Sequence, residues 1–276
     1  MGSDRVALAF VVITSALGGF FKVLGGVLYG SKAVFVDALT SIANLFALLV
    51  SIAYLRKSLE PPDKDHHFGH YRMVFGGSIT TLMTYSFIAG IALIKLTDLT
   101  KYSVAVEAPL MAFLGVLAYS ASILTARKLG GVLTHYAIFT VSELIEGAVV
   151  IFSSLVGALY SYLVDYAGAL FLTLYIFYEL RKVFSEVVIK LSDVAPSETI
   201  LRSITRAFES EGLTVVDLKL RHLNDEKIHG VALISVSSTA SIGDVEAKVN
   251  KVKKKLIENY GVDLTVEYSS KESGQH

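Results

Sequence analysis

Long apolar runs broken by short polar links occupy residues 6–188, and after Asp193 the pattern changes to short alternations with dense charge. A helix that crosses a bilayer takes roughly 20 mostly apolar residues. Six stretches are long enough: residues 6–28, 33–54, 73–94, 109–125, 136–164 and 167–188. The fourth is the shortest and needs the least tilt to span. The first carries no cleavage-site pattern, so it is expected to stay as a spanning helix rather than be removed as a signal peptide. The pattern predicts an all-α six-helix transmembrane domain over residues 1–193.

Residues 194–276 read as a small C-terminal α+β domain. Pro196 and Ser197 open a helix that Gly212 closes, since proline suits a first turn and glycine a stop. "LTVVDLKLRHL" alternates apolar and polar positions as a half-buried strand does. "NDEK" has turn chemistry, "IHGVALISVS" is a second strand, residues 242–260 form an amphipathic basic helix, and "VDLTVEYS" is a last strand. The order α-β-β-α-β predicts a ferredoxin-like or metallochaperone-like open-faced sandwich. A sheet this small needs cover on its second face, which a homodimer through the C-terminal domain supplies.

Composition sharpens this picture. The chain is 53% hydrophobic and 18% charged, with mean hydropathy +0.57, which is too apolar for an ordinary soluble domain. Net charge is zero and cysteine is absent. Nothing therefore points to nucleic acid, and any metal must be held by oxygen and imidazole. Arg56, Lys57, Lys64, Arg72, Arg127, Lys128, Arg181 and Lys182 fall on alternate links. Short Lys/Arg-rich loops stay cytoplasmic, so an integral protein of the cell (plasma or inner) membrane is expected, with both termini and the C-terminal domain in the cytosol.

Ionisable residues inside spans are costly and are functional candidates. Asp37 is followed by Thr40, Ser41 and Asn44 at spacings of three, four and seven, one polar stripe along helix two. Helix five carries Ser142, Glu143 and Glu146, and the two acids, three apart, share a face. Helix–helix hydrogen bonding accounts for serines alone; three acids need a cation, a proton or a basic partner. Lys22 is either that partner or a snorkelling lysine. Asp165 is expected at the hydrated outer interface, and Glu179 too near the cytosol to contribute. Between helices two and three, "PPDKDHHFGHYR" holds three of the seven histidines. Asp63, His66 and His70 combine carboxylate and imidazole in a pattern that suits zinc and other divalent transition ions.

"GGVLYGSKAVFVDALTS", "PPDKDHHFGHYRMV", the helix count and the tail order together resemble the cation diffusion facilitator family over nearly the whole length. The resemblance implies a dimeric, proton-coupled exporter of divalent metals. It also implies that Arg72 pairs with an acid at the end of helix six, a place matched by Asp193. The family's transport site has two carboxylates four apart on helix two, then His or Asp and Asp four apart on helix five. Asp37 matches the first position and Ser41 stands at the second. On helix five the ligand positions are Ile138 and Ser142, or Phe139 and Glu143, and counting back from Asp165 without a gap favours Glu143. Relatives often bind metal at the tail's dimer contact, where Val216, Glu267 and Ser269 stand here. His222 and His229 are weaker tail candidates, able to meet across the hairpin or to sit as surface histidines.

Two functions stay open. One is proton-coupled efflux of a divalent cation through Asp37, Ser41, Ser142, Glu143 and Glu146. Oxygen ligands favour manganese or iron(II) over zinc there. The alternative is a non-transporting membrane protein of the same fold that senses metal or scaffolds a partner through the loop site. No positioned nucleophile, acid or base and no phosphate loop appears, so no enzyme is expected.

Overall fold

The computed structural model describes residues 2–129, 141–224 and 227–270, and the side chains of residues 2–5, 129, 141, 142, 190 and 270 lie outside that description. The chain divides into two compact units, Met1–Tyr54 with Gly76–Phe184, and Leu55–Phe75 with Ser185–His276.

The first unit is built from α1 (Gly2–Val23), continued by a π-helical turn at Leu24–Leu28, then α2 (Lys32–Ser58), α3 (Val74–Thr97), α4 (Glu107–Leu129), α5 (Val141–Leu159) and α6 (Tyr162–Leu191), whose outermost turns belong to the second unit. Among the described residues, Val6–Leu28, Lys32–Ser58, Tyr71–Thr97, Glu107–Lys128 and Tyr162–Ile189 are long and apolar enough to cross a membrane. The chain is thus a membrane helical bundle with a small C-terminal domain. The expected span over 136–164 corresponds to α5, with residues 136–140 outside the described set.

Helix α2 is anchored at its start. Gly30 takes a left-handed φ of +74° between α1 and α2, a region open to glycine at little cost. Ser31 caps the helix, its Oγ accepting from Val34 N at 3.0 Å. Asp165 at the head of α6 accepts from Ser31 Oγ (2.5 Å), Lys32 N (2.8 Å) and Tyr102 OH (2.9 Å). Asp165 is fully buried, which corrects the expectation of a hydrated interfacial acid. It satisfies the open N–H groups of α2 and faces the positive end of the helix dipole. Lys32 is buried too, its Nζ 4.7 Å above the Tyr102 ring and donating to Asp98 O.

Helices α1 and α4 lie side by side through small residues. A Cβ at Gly18 would come within 2.5 Å of Tyr119 Cδ2, and one at Gly115 within 2.8 Å of Lys22 Cγ. Glycines here let backbones close up where burying apolar surface offers no drive between spans. They also leave room for the two large side chains, Lys22 and Tyr119, in the packed interior.

The second unit contains α7 (Glu198–Glu209), β1 (Thr214–His222), β2 (Ile228–Val236), α8 (Ile242–Tyr260) and β3 (Val262–Ser270). The sheet order is β1-β2-β3, with β1/β2 antiparallel and β2/β3 parallel. Ile204 and Phe208 of α7 and Val249, Val252 and Leu256 of α8 bury their apolar stripes against Ala232, Ile234, Val262 and Leu264 of the sheet. The expected element order is observed; Asp225 and Glu226 of the expected "NDEK" turn lie outside the described residues.

Candidate metal centre

Within the first unit, side chains from α2, α4 and α5 converge on one ammonium, that of Lys22 on α1. Lys22 Nζ donates to Asp37 Oδ1 at 2.8 Å, to Glu143 Oε2 at 2.8 Å and to Ser41 Oγ at 2.9 Å. Its three N–H bonds are all used. The Tyr119 ring lies 4.7 Å below it, and Tyr119 OH donates to Ser41 O at 3.1 Å. Ser41 Oγ donates to Glu143 Oε2 at 3.3 Å, and Thr40 Oγ1 lies 3.4 Å from Glu146 Oε2. Asn44 Nδ2 donates to Glu143 Oε1 while Tyr85 OH donates to Asn44 Oδ1, which fixes the amide orientation. Lys22, Asp37 and Ser41 are fully buried and Glu143 and Glu146 nearly so. Asp37 Oδ2 is buried without a hydrogen-bond partner among the described residues.

Asp37 and Ser41, on one face by their i, i+4 spacing, meet the α5 acid Glu143 through Lys22 and directly from Ser41. Lys22 is a buried counter-ion rather than a snorkelling lysine, because its fully buried ammonium is held by Asp37, Ser41 and Glu143. Glu143 joins the cluster; Ser142, by contrast, has a side chain outside the described residues, as do Ile138 and Phe139. Glu179 hydrogen bonds Tyr175 and lies within electrostatic reach of Glu146 and Tyr85. Tyr85 and Tyr119 escaped the sequence reading. Their signal was a phenol inside an apolar span, where the hydroxyl needs a partner. Chemically the cluster offers carboxylate, hydroxyl and amide oxygens in a dry setting, a donor set suited to hard divalent ions.

Within the second unit, "PPDKDHHFGHYR" folds into a compact loop. Asp63 Oδ1 accepts from His66 N (2.7 Å) and Asp65 N (3.0 Å), and Gly69 at φ +80° turns the chain back. The His66 amide is the main reason the Asp63 carboxyl is held below its usual range. Asp63, His66 and His70 each offer a ligand atom within 4.8 Å of one another. Asp63 Oδ1 lies 3.3 Å from His66 Nδ1, and its other oxygen, Oδ2, 3.4 Å from His70 Nε2. Donors at a tetrahedral zinc with bonds near 2.0–2.1 Å stand about 3.3 Å apart. His70 is buried, with Nδ1 3.2 Å from Pro61 O. The carbonyl can only accept, so Nδ1 carries the proton and Nε2 is free for a metal. His67 is exposed. Phe68 packs on His229, ring centroids 5.4 Å apart.

His222 and His229 are not brought together. The β1/β2 register pairs His222 with Ile228 and His229 with Arg221, so the two imidazoles leave opposite faces of the sheet. Arg72 and Asp193 do meet, Nη1 to Oδ1 at 3.0 Å, with Arg221 Nη1 on Oδ2 at 3.0 Å and Arg72 Nη2 on Leu191 O at 3.2 Å. Asp193 takes φ +56° after the end of α6, a conformation that Asp tolerates better than most residues. The hydrogen bond from Arg221, helped by both guanidinium charges, holds its carboxyl below the usual range. A depressed folded value stabilises the fold above the unfolded value, and that stabilisation fades as pH falls through the folded one. Asp193→Asn should therefore melt below the parent protein at pH 7, by up to about 1 kcal/mol for so exposed a pair. Melts in buffered detergent should show the gap closing below about pH 4.

Residues 7–192 match a family model described as the cation efflux transmembrane domain. A stretch of 67 residues is 34% identical to the manganese efflux system protein MneS of Bacillus subtilis (strain 168), covering 24% of this chain and 22% of that protein.

Proposed function

The chain belongs to the cation efflux family, and from that premise we propose that it exports a divalent cation through the Asp37–Glu143 cluster, as a homodimer with six spans. The observation that carries this reading is the burial of Asp37, Glu143 and Glu146 at one point between helices around the single ammonium of Lys22; three acids against one fixed positive charge leave room for a mobile cation or proton. The oxygen-rich donor set and the manganese efflux relative both favour manganese, with iron(II) next and zinc last. Moving a charge against the membrane potential costs about 2.3 kcal/mol per 100 mV, so inward proton movement drives the export. The cytoplasmic Asp63–His66–His70 loop binds metal, and the C-terminal α+β domain pairs two copies of the chain. The protein sits in the cell membrane with both termini in the cytosol.

Reconstitution in liposomes tests this. Manganese-driven proton movement together with ⁵⁴Mn uptake is expected. No flux of either kind with manganese, iron(II), zinc or cobalt sinks the transport reading.

One observation favours a second reading, a metal sensor or scaffold that does not transport: Lys22 already fills the cation position. Metal stoichiometry separates the two. Binding that survives Asp37→Ala with Glu143→Ala, yet disappears with His66→Ala and His70→Ala, supports the sensor.

A further inference from the structure

Resting on the cation-site reading of the Asp37–Glu143 cluster, we propose that Lys22 is a tethered competitor, its ammonium holding the cation position until a divalent ion displaces it. The geometry gives three reasons. First, the ammonium bonds one oxygen of each carboxylate and Ser41 Oγ, the same atoms that a metal bound between α2 and α5 requires. Metal–carboxylate bonds are about 2.0–2.2 Å, so a divalent ion on those oxygens and an ammonium bridging them at 2.8 Å crowd one another with like charge. Second, the ammonium is saturated while the acids are not. Among the described residues, Asp37 Oδ2 stays buried without a partner, and Glu146 has the Thr40 hydroxyl at 3.4 Å. The cluster therefore keeps a capacity for positive charge that one lysine does not meet. Third, the residue is placed to move. Lys22 lies on the last turn of α1, directly ahead of the π-helical turn Leu24–Leu28, the kind of local widening that recurs at functional sites. Gly115 makes the room that its stem occupies, since a Cβ there would come within 2.8 Å of Lys22 Cγ.

The consequence is a specificity filter. A monovalent ion that replaces the ammonium gains no charge and must match three well-formed hydrogen bonds, so it is excluded. A divalent ion doubles the attraction to the same carboxylates and wins. The apparent metal affinity is lowered by the fraction of time the lysine occupies the site.

The test uses full-length protein in detergent, in a His66→Ala/His70→Ala background that silences the loop site. Mn²⁺ affinity is measured with and without Lys22→Gln, each across a series of ammonium chloride concentrations. Tethered competition predicts Mn²⁺ binding at least about tenfold tighter in Lys22→Gln, with ammonium chloride weakening it there and not in the parent. Equal or weaker Mn²⁺ binding by the variant, binding by neither protein, or the same ammonium effect on both overturns the proposal. Should Lys22→Gln and Lys22→Met both fail to fold, crystals of the unmodified protein soaked in saturating Mn²⁺ decide. Nζ withdrawn from both carboxylates supports displacement, and Nζ still bridging Asp37 and Glu143 refutes it. Failure of the transport reading has a different signature, absence of liposome flux in the unmodified protein whatever the Lys22 result.

Discussion

Glu143→Ala is expected to cost stability and transport together, and a second substitution should then separate the two. Lys22 is held by Asp37 and Glu143 with no access to water. Removing one partner of a buried ion pair leaves charge uncompensated, at about 3–5 kcal/mol. Replacing a whole buried charge group by neutral side chains of similar size is often neutral or stabilising. The triple variant Lys22→Met, Asp37→Asn, Glu143→Gln should therefore melt close to the parent while showing no divalent flux. Thermal melts followed by size exclusion, set beside ⁵⁴Mn uptake in liposomes, read both effects. A triple variant that still transports would remove Asp37 and Glu143 from the permeation path. A Glu143→Ala protein as stable as the parent would mean that the ammonium finds water, against its full burial.

Asp165→Ala should be the most damaging change outside the cluster. Asp165 accepts from a serine hydroxyl, a tyrosine hydroxyl and the first backbone amide of α2, and it is fully buried. Each buried donor left unsatisfied costs about 1–3 kcal/mol. The losses are not additive because the groups share one site, so a total of about 3–5 kcal/mol is expected, at the upper end for a single substitution. Asp165→Asn keeps one acceptor oxygen and should lose roughly half as much. Metal binding should weaken with the fold, because the tie fixes the start of the helix that carries Asp37, Ser41 and Asn44. Melting temperature and Mn²⁺ affinity measured on both variants check this; an Asp165→Ala protein that keeps both values would show that Ser31 alone holds α2 in place.

Much of the architecture was legible in the chain. Apolar runs of bilayer length can only be helices, since lipid offers no partner to an open backbone. The tail's helix, hairpin, helix and strand followed from a change of period. Asp37, Glu143 and Glu146 stood out because acids are rare in such runs. The Asp63–His66–His70 loop stood out because its ligands lie close in sequence, so their meeting is a local event. The Arg72–Asp193 contact, 121 residues apart, came from family resemblance and not from any local pattern.

The remainder depended on which helices are neighbours, and hydropathy says nothing about that when every face is apolar. Nothing local distinguishes a lysine that reaches for water from Lys22, which is sealed between α2, α4 and α5 because Gly18 and Gly115 let α1 and α4 close over it. Asp165 sits near a span boundary, and only the packing of α6 against the start of α2 turns it from a hydrated surface acid into a buried cap. His222 and His229 show the same limit in a sheet, where alternation of side chains about one fixed register put them on opposite faces. Composition and period determined what kinds of element this protein has and which polar residues must find partners. Tertiary packing alone decided who those partners are, because a buried charge is assigned by whatever lies within about 3 Å of it, whatever the distance along the chain.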